Sequence, residues 1–382
     1  MTYSRTHKIR LEPTPEQLRL LACIAGATRF VHNWALDENK KMYVEYKDGR
    51  NDCPTWVGLC KRYTQWKNTE GPEWLQQLPA DAAQHAIKGI SRALKNFFRG
   101  TAKFPKYHKK GRNDSFYVSN GRRKGEVKQS GSNWYFHCPK VGWIKLTEAT
   151  RFFGKVMSYT VKRKGEHWYV FIQYQLEKDP RPTCKNPDSA VGIDVGVAHS
   201  ITCSDGTTYQ IANTEKLRRK LKYQQRYLSR SQKKSNNHKK YLRKVRRTVE
   251  HIQSKVQDSI HKATTTIVKN HGIVVVEDLN IEGMKSKKHT KRKASRRNIQ
   301  HACMSELLRQ LSYKAQQCFK VDRYFPSSQL CSHCGHQQKM PVSKRLYVCP
   351  ECGSTIDRDL NAAINMLHEY ISGRVTPVVS CG

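Results

Sequence analysis

CSHCGHQQKMPVSKRLYVCPECGSTIDRDLNAAINM, residues 331–366, sets two Cys-x-x-Cys pairs directly before an acidic Asp-Arg-Asp-Leu-Asn-Ala-Ala element. Cys331/Cys334 and Cys349/Cys352 are separated by fourteen residues, and each pair has the spacing of a turn that points two thiolates at one tetrahedral ion. A glycine follows Cys334 and Cys352, where a tight knuckle needs a backbone that tolerates positive φ. Four thiolates close every position of a zinc ion, so this metal is expected to be structural and to supply roughly 10 kcal/mol of local folding energy. Chemistry, if there is any, belongs to the acids that follow. Either Asp357 or Asp359 can cap the last helix while the other holds a metal.

Composition fixes the partner class. The chain has 382 residues with 70 Lys and Arg against 31 Asp and Glu, a formal charge of +39. With 37% hydrophobic residues and seven Trp it should fold into two or three domains with substantial cores. A charge of that size points to a polyanion, and its spread over the whole chain favours nucleic acid over a membrane surface. No apolar run approaches the roughly 20 residues of a membrane-spanning helix. The opening MTYSRTHKIRLEPTPEQ lacks the apolar core of a signal peptide, and the nine cysteines outside the two pairs stand singly; both suit a cytoplasmic protein.

Outward from the cysteines, the chain reads as alternating blocks. Residues 6–12 alternate as a strand, and Pro13 and Pro15 open a helical stretch with a stripe at Leu18, Leu21, Ile24, Ala25, Phe30, Val31 and Trp34, interrupted near Gly26. A second helix after Pro79 buries Ile87, Ile90, Leu94 and Phe97 and leaves Gln84, Lys88, Ser91 and Lys95 on a polar face. From Phe104, short aromatic and β-branched runs divided by Gly, Asn and Asp predict an antiparallel barrel or sandwich joined by the first strand. Residues 177–189 read as a Pro-rich linker. Fifteen Lys or Arg fall within 216–247, a two-helix hairpin with its break at 235–237, and such a density calls for a polyanion alongside.

Three acids stand out by context: Asp194 ending an apolar strand, Glu277 ending another, and Asp359 at the start of a helix. Each would carry a costly unpaired charge at the edge of an apolar element unless a cation sits among them. Carboxylates suit Mg²⁺ or Mn²⁺, and two such ions can activate a water and stabilise a leaving oxygen in phosphodiester cleavage. An RNase H-like fold builds a site of this kind from strand-end acids.

GIDVG at 192–196, VVVEDLNIEGM at 274–284, FPSSQLCSHCG at 325–335 and CPECGSTIDRDLNAAINM at 349–366 resemble the split RuvC motifs and zinc finger of the TnpB family. RLEPTPEQ, GATRFVHNWAL and the KNFFRG and FPKYHKKG segments resemble that family's opening, so the likeness spans nearly the whole chain. The resemblance implies an α+β multidomain protein. Residues 1–14 and 102–180 would form a β-barrel wedge domain, with 15–101 inserted as a helical recognition domain. Residues 181–324 and 356–382 would form a RuvC-like nuclease domain, interrupted at 325–355 by the zinc finger. It implies an RNA-guided DNA endonuclease encoded by an insertion-sequence transposon in a bacterium or archaeon, acting as one protein per guide RNA. Its partners would be a transposon-derived guide RNA and double-stranded target DNA carrying a short adjacent motif. By motif position Asp194, Glu277 and Asp359 would be the metal-binding catalytic triad, Asp359 taking the role because it directly precedes Leu-Asn-Ala-Ala. Trp56, Gln84 and Asn120 would contact the adjacent motif; Gln and Asn can read adenine in a bidentate way, whereas an aromatic stacks or touches a thymine methyl. The rival readings are a nuclease-inactive RNA-guided repressor, which would lack part of the acid set, and an RNA-independent zinc-ribbon accessory to a transposase.

Overall fold

The computed structural model describes residues 2–378 apart from 50–53, 112–113, 120–125, 197–199, 287–292 and 342–343, and of residues 77, 293, 294 and 296 the backbone alone. The chain folds as two units, residues 1–180 and 181–382.

The first unit opens with β1 (Tyr3–Glu12), which buries His7, Ile9 and Leu11 by simple alternation. Thr14 then caps α1 (Pro15–Lys47) in a reciprocal capping box with Gln17. The helix runs unbroken through Gly26, contrary to the expected interruption: glycine costs roughly 1 kcal/mol in a helix, less than the packing of Leu21, Ile24, Ala25 and Val31 on either side returns. Leu18 and Phe30 of the expected stripe are exposed at 40% and 38%, Phe30 lying against the rings of Trp66 and Trp74. A helix not anticipated, α2 (Trp56–Thr69), and a short 3-10 turn, Glu73–Gln77, come before α3 (Ala80–Phe98). In α3, Ile87, Ile90 and Leu94 are buried, whereas Phe97 is 36% exposed and stacks edge-on against Phe104 instead of entering the core.

Six further strands follow: β2 (Ser115–Ser119), β3 (Val127–Ser130), β4 (Asn133–Cys138), β5 (Gly142–Leu146), β6 (Lys155–Lys164) and β7 (His167–Leu176). They form one antiparallel sheet in the order β2-β6-β7-β1-β5-β4-β3. β1 pairs with β7 through residues 3–10 and then with β5 through Leu11 and Glu12, so the first strand joins two halves of the sheet. The halves fold toward each other, and Phe136 of β4 meets Tyr159 of β6 with ring centres 4.9 Å apart. Helices and sheet share one continuous core.

The second unit begins inside the expected linker. Lys185 donates its amide to the Lys269 carbonyl and Cys184 is buried, so residues 184–189 pack on this unit. Its six-stranded sheet comprises β8 (Ala190–Asp194), β9 (Ile201–Cys203), β10 (Thr208–Tyr209), β11 (Ile273–Glu277), β12 (Gln317–Val321) and, last in the chain, β15 (Thr376–Pro377). The order is β10-β9-β8-β11-β12-β15, parallel through β8, β11 and β12 and antiparallel at both edges. Between β10 and β11 lies the basic hairpin α4 (Glu215–Arg230) and α5 (Asn236–Asn270); its break falls at 231–235, slightly before the expected position, because Ser235 is the N-cap of α5. α6 (Ile281–Lys285), α7 (Lys293–His301) and α8 (Met304–Lys314) precede β12, and β13 (Leu346–Val348) pairs with β14 (Thr355–Asp357) before α9 (Arg358–Ile371). α5 and α8 cover one face of the large sheet, over Val191, Ile193, Val274 and Val276. α9 covers the other, over Val275 and Val321.

Candidate active site and metal centre

Alternation along the two central strands decides where the acids point. Val191 and Ile193 face α5 and α8, so Gly192 and Asp194 face the α9 side; by the same rule Val274 and Val276 face one way and Val275 and Glu277 the other. β8 and β11 are parallel with Ile193 beside Val276, so the next step sets Asp194 beside Glu277 at the carboxyl edge of the sheet. Gly192 fixes the third member. A Cβ there would stand 2.0 Å from the Ala363 carbonyl oxygen and 2.9 Å from the Leu367 amide nitrogen, so only glycine lets α9 lie directly on β8. Ala363 is one helical turn beyond Asp359, and this close approach carries the first turn of α9 over the ends of the strands.

The electrostatics follow from that placement. Burial, then the nearby Asp359 and Glu277, push the Asp194 carboxyl up to about 7, opposed by Arg358. Glu277 is also raised, by burial and then by Asp278. Asp278 itself points elsewhere, held by Lys320 at 3.2 Å and Arg323 at 2.5 Å. Asp359 is buried and accepts a hydrogen bond from Arg345 at 3.2 Å. Asp357 is not free for a second role: its Oδ1 accepts the amides of Asp359 and Leu360 as the N-cap of α9. Three carboxylates at one sheet edge, Asp194 raised by burial and by the other two and Glu277 by burial and Asp278, form an anionic donor set that fits a hard divalent cation.

The four cysteines are drawn in more tightly, and among the described residues theirs is the group whose ligand atoms all lie within 4.8 Å of one another. Cys331 and Cys352 have sulfurs 3.7 Å apart, and Cys334 and Cys349 3.5 Å. Tetrahedral zinc with bonds of about 2.3 Å needs sulfurs roughly 3.8 Å apart, so the geometry fits that ion. Gly335 and Gly353 adopt φ of +76° and +69° and donate their amides to Cys331 and Cys349, closing the knuckles. Burial opposes ionisation of Cys331, but the Ser354 hydroxyl and the amides of Cys334 and His333 outweigh it and bring the thiol down to about 6.

Two residues of α9 that sequence reasoning passed over join this knot to the acids. Asn361 donates to the Leu330 carbonyl at 2.6 Å and accepts the Ser332 amide at 3.0 Å. Asn365, one turn on, donates to the Ser327 and Leu330 carbonyls, both at 2.8 Å. Both side chains are buried. An Asn pair at i, i+4, flanking Ala362, Ala363 and Met366 on the apolar side of the helix, was the available signal, since buried carboxamides need partners.

The remaining candidates lie in the first unit. Trp56 is the first residue of α2, 42% exposed, with the Lys88 ammonium 5.4 Å from its ring centre. Gln84, one turn before Lys88 on α3, is exposed on the same face. Asn120 lies outside the described residues; the strand before it ends at Ser119, which donates to Asp81 in the first turn of α3 at 2.9 Å.

A mixed sheet with acids at the carboxyl edge of its parallel strands, and a four-cysteine cluster tied by hydrogen bonds to the helix that carries the third, is the architecture of a nuclease. The chain belongs to the IS605 OrfB, or TnpB, family. Residues 171–288 match the family profile described as "Probable transposase", and residues 305–366 match the "Cas12f1-like, TNB domain". Residues 1–48 match a "Helix-turn-helix domain", although here they form a strand and one unbroken helix. The chain is 35% identical to "Putative RNA-guided DNA endonuclease InsQ" of Escherichia coli, covering 94% of this chain and 90% of that protein. It is 31% identical to a "Putative RNA-guided DNA endonuclease" of Streptomyces pristinaespiralis over 95% and 88%. Among solved structures, the protein in "Cryo-EM structure of the Cas12f1-sgRNA-target DNA complex" shares the fold with a TM-score of 0.58 at 14% identity, over 96% of this chain and 98% of the other. No helix among the described residues is long and apolar enough to cross a membrane.

Proposed function

We propose that this protein is an RNA-guided DNA endonuclease in which Asp194, Glu277 and Asp359 hold one or two Mg²⁺ or Mn²⁺ ions. The observation that carries the reading is the convergence of the three acids, set by the β8–β11 register and by the Gly192 contact with α9. Bound divalent ions would lower the pKa of an attacking water and neutralise charge on the scissile phosphate. The chain's own residues set the geometry: β8 and β11 fix two carboxylates side by side, Asp357 rather than Asp359 caps α9, and Arg345 pairs with Asp359 and supplies positive charge at the same edge. Zinc held by Cys331, Cys334, Cys349 and Cys352 keeps the ribbon folded against α9.

In this reading sequence is read by pairing between a transposon-derived guide RNA and target DNA, and the protein reads only shape and a short flanking motif. The antiparallel sheet of the first unit serves as the wedge barrel, and residues 15–101 as the recognition segment. Trp56, beside Lys88, and Gln84, one turn from Lys88 on α3, are the motif-contacting candidates, with Asn120. The relatives' names and the charge of +39 support a nucleic-acid partner of this kind.

The test is plasmid cleavage by protein purified with the RNA from its own locus. Asp194→Ala should abolish cutting while the RNA still co-purifies; cutting that survives would sink the site. Sequencing the bound RNA decides the guided reading, since RNA-free protein with full activity would remove it.

A further inference from the structure

The second unit holds a cleft of about 870 Å³ between the β10–α4 connection, α4, α5 and α7. Topology places its inner lip at the same end of the sheet as the acids. Thr202 of β9 pairs with Asp194, and Tyr209 of β10 pairs with Ile201, so Ser200 and Gln210, which line the cleft, both lie just past the carboxyl end of β8. Two strand spacings separate β8 from β10, a sideways step of roughly 10 Å.

Arg218 of α4 and Arg297 and His301 of α7 converge in this cleft. Among the described residues neither arginine forms an ion pair with a carboxylate. The acid on the wall, Glu215, is engaged by Arg219 at 2.5 Å. Burial holds Arg218 below the usual guanidinium value, with Arg297 adding to it against the nearby Cys303; burial and the two arginines do the same to His301. Gathering these groups without an anion is unfavourable, and a ligand carrying several negative charges would reverse the sign. The rest of the lining narrows the choice. Asn213, Asn298 and Gln225 offer neutral hydrogen bonds, and Ile211 and Val256 form an apolar wall. Guanidinium forks beside carboxamides and an apolar surface suit a sugar–phosphate chain with its bases attached better than a small free anion.

We propose that this cleft is a second nucleic-acid site that grips the phosphodiester backbone of a single strand on its way to the acidic centre, Arg218 and Arg297 each taking a phosphate. The strand's destination rests on the nuclease reading; the binding does not.

The experiment uses the full chain with its co-purified RNA, without added Mg²⁺ or Mn²⁺, and a labelled single-stranded oligothymidylate read by fluorescence anisotropy across a salt series. Removing one phosphate-neutralising charge from a single-strand complex lowers the log–log salt slope by about 0.7, so Arg218→Gln with Arg297→Gln should lower it by about 1.4. Affinity should fall at least about tenfold, and the paired Arg→Lys exchanges should keep most of both. Unchanged affinity and slope would overturn the proposal. So would an equal loss from Lys128→Gln with Lys155→Gln in the first unit, which removes the same charge elsewhere. Should the double variant unfold, Arg297→Gln alone, at an exposed position, must give half the slope change. Failure of the nuclease reading shows up separately, as cutting that survives Asp194→Ala, and leaves this measurement standing.

Discussion

Asp194 carries the clearest consequence at the scale of single residues. Its carboxyl is raised from the usual value to about 7 by burial and by two neighbouring acids. A raised folded value means that protonated Asp194 stabilises the metal-free protein at low pH, and that the contribution is lost as pH climbs through about 7. Without added Mg²⁺, Asp194→Asn should therefore raise the thermal midpoint at pH 8, raise it less at pH 5 and leave it nearly unchanged below about pH 4, where both states are protonated; the effect at pH 8 is on the order of a few kcal/mol. Added Mg²⁺ should stabilise the parent at pH 8 and the variant much less. Gly192→Ala places a methyl into the Ala363 carbonyl and should cost about 3 kcal/mol, read as a lower unfolding midpoint with cutting reduced more than RNA binding. Asp194 and Glu277 stood out in the sequence because each ends an apolar strand, but singly each is a weak signal, and it is the family motifs around them and Asp359 that made the set legible. The choice between Asp357 and Asp359 was not legible from residue chemistry alone, since both can cap; hydrogen bonds from two amides to Asp357 settle which one caps.

At the scale of elements, α9 is where three surfaces meet: its Ala and Met face lies on the sheet, Asp359 reaches the strand ends, and Asn361 and Asn365 hold the ribbon. Asn361→Ala leaves the Ser332 amide without its partner and the Leu330 carbonyl with Asn365 alone, and should cost about 2 kcal/mol. Zinc should still bind, because no cysteine changes, so zinc content by metal analysis should stay at one per chain while the midpoint falls. Their partners lie some thirty residues earlier in the chain, and helical periodicity says nothing about what a polar face will meet. The same blindness explains the other misses. α2 buries only Leu59 and Tyr63, too few for a stripe to stand out against its polar background. Phe97 continues the apolar period of α3 past the end of the surface the helix covers. Gly26 looked like a break because its local cost was visible and the long-range packing that exceeds it was not.

At the scale of the whole molecule, charge dominates. A net +39 must be neutralised on binding, so affinity for RNA should fall about 1,000-fold between roughly 50 and 200 mM salt, measured by filter binding. An RNA affinity that barely moves over that range would mean the charge is not in contact with phosphates. Composition made this partner class legible without any structure. What composition could not show is where the charge is left unpaired, as at Arg218 and Arg297, because that depends on which acids the fold brings near.

The meeting of Gly192 with the Ala363 carbonyl and the Leu367 amide is backbone against backbone. A spacing set that way does not depend on the shape of any side chain around it. Substitutions of the side chains around it leave that contact in place, whereas one at Gly192 itself cannot. At this point the fold is held by an absent methyl group.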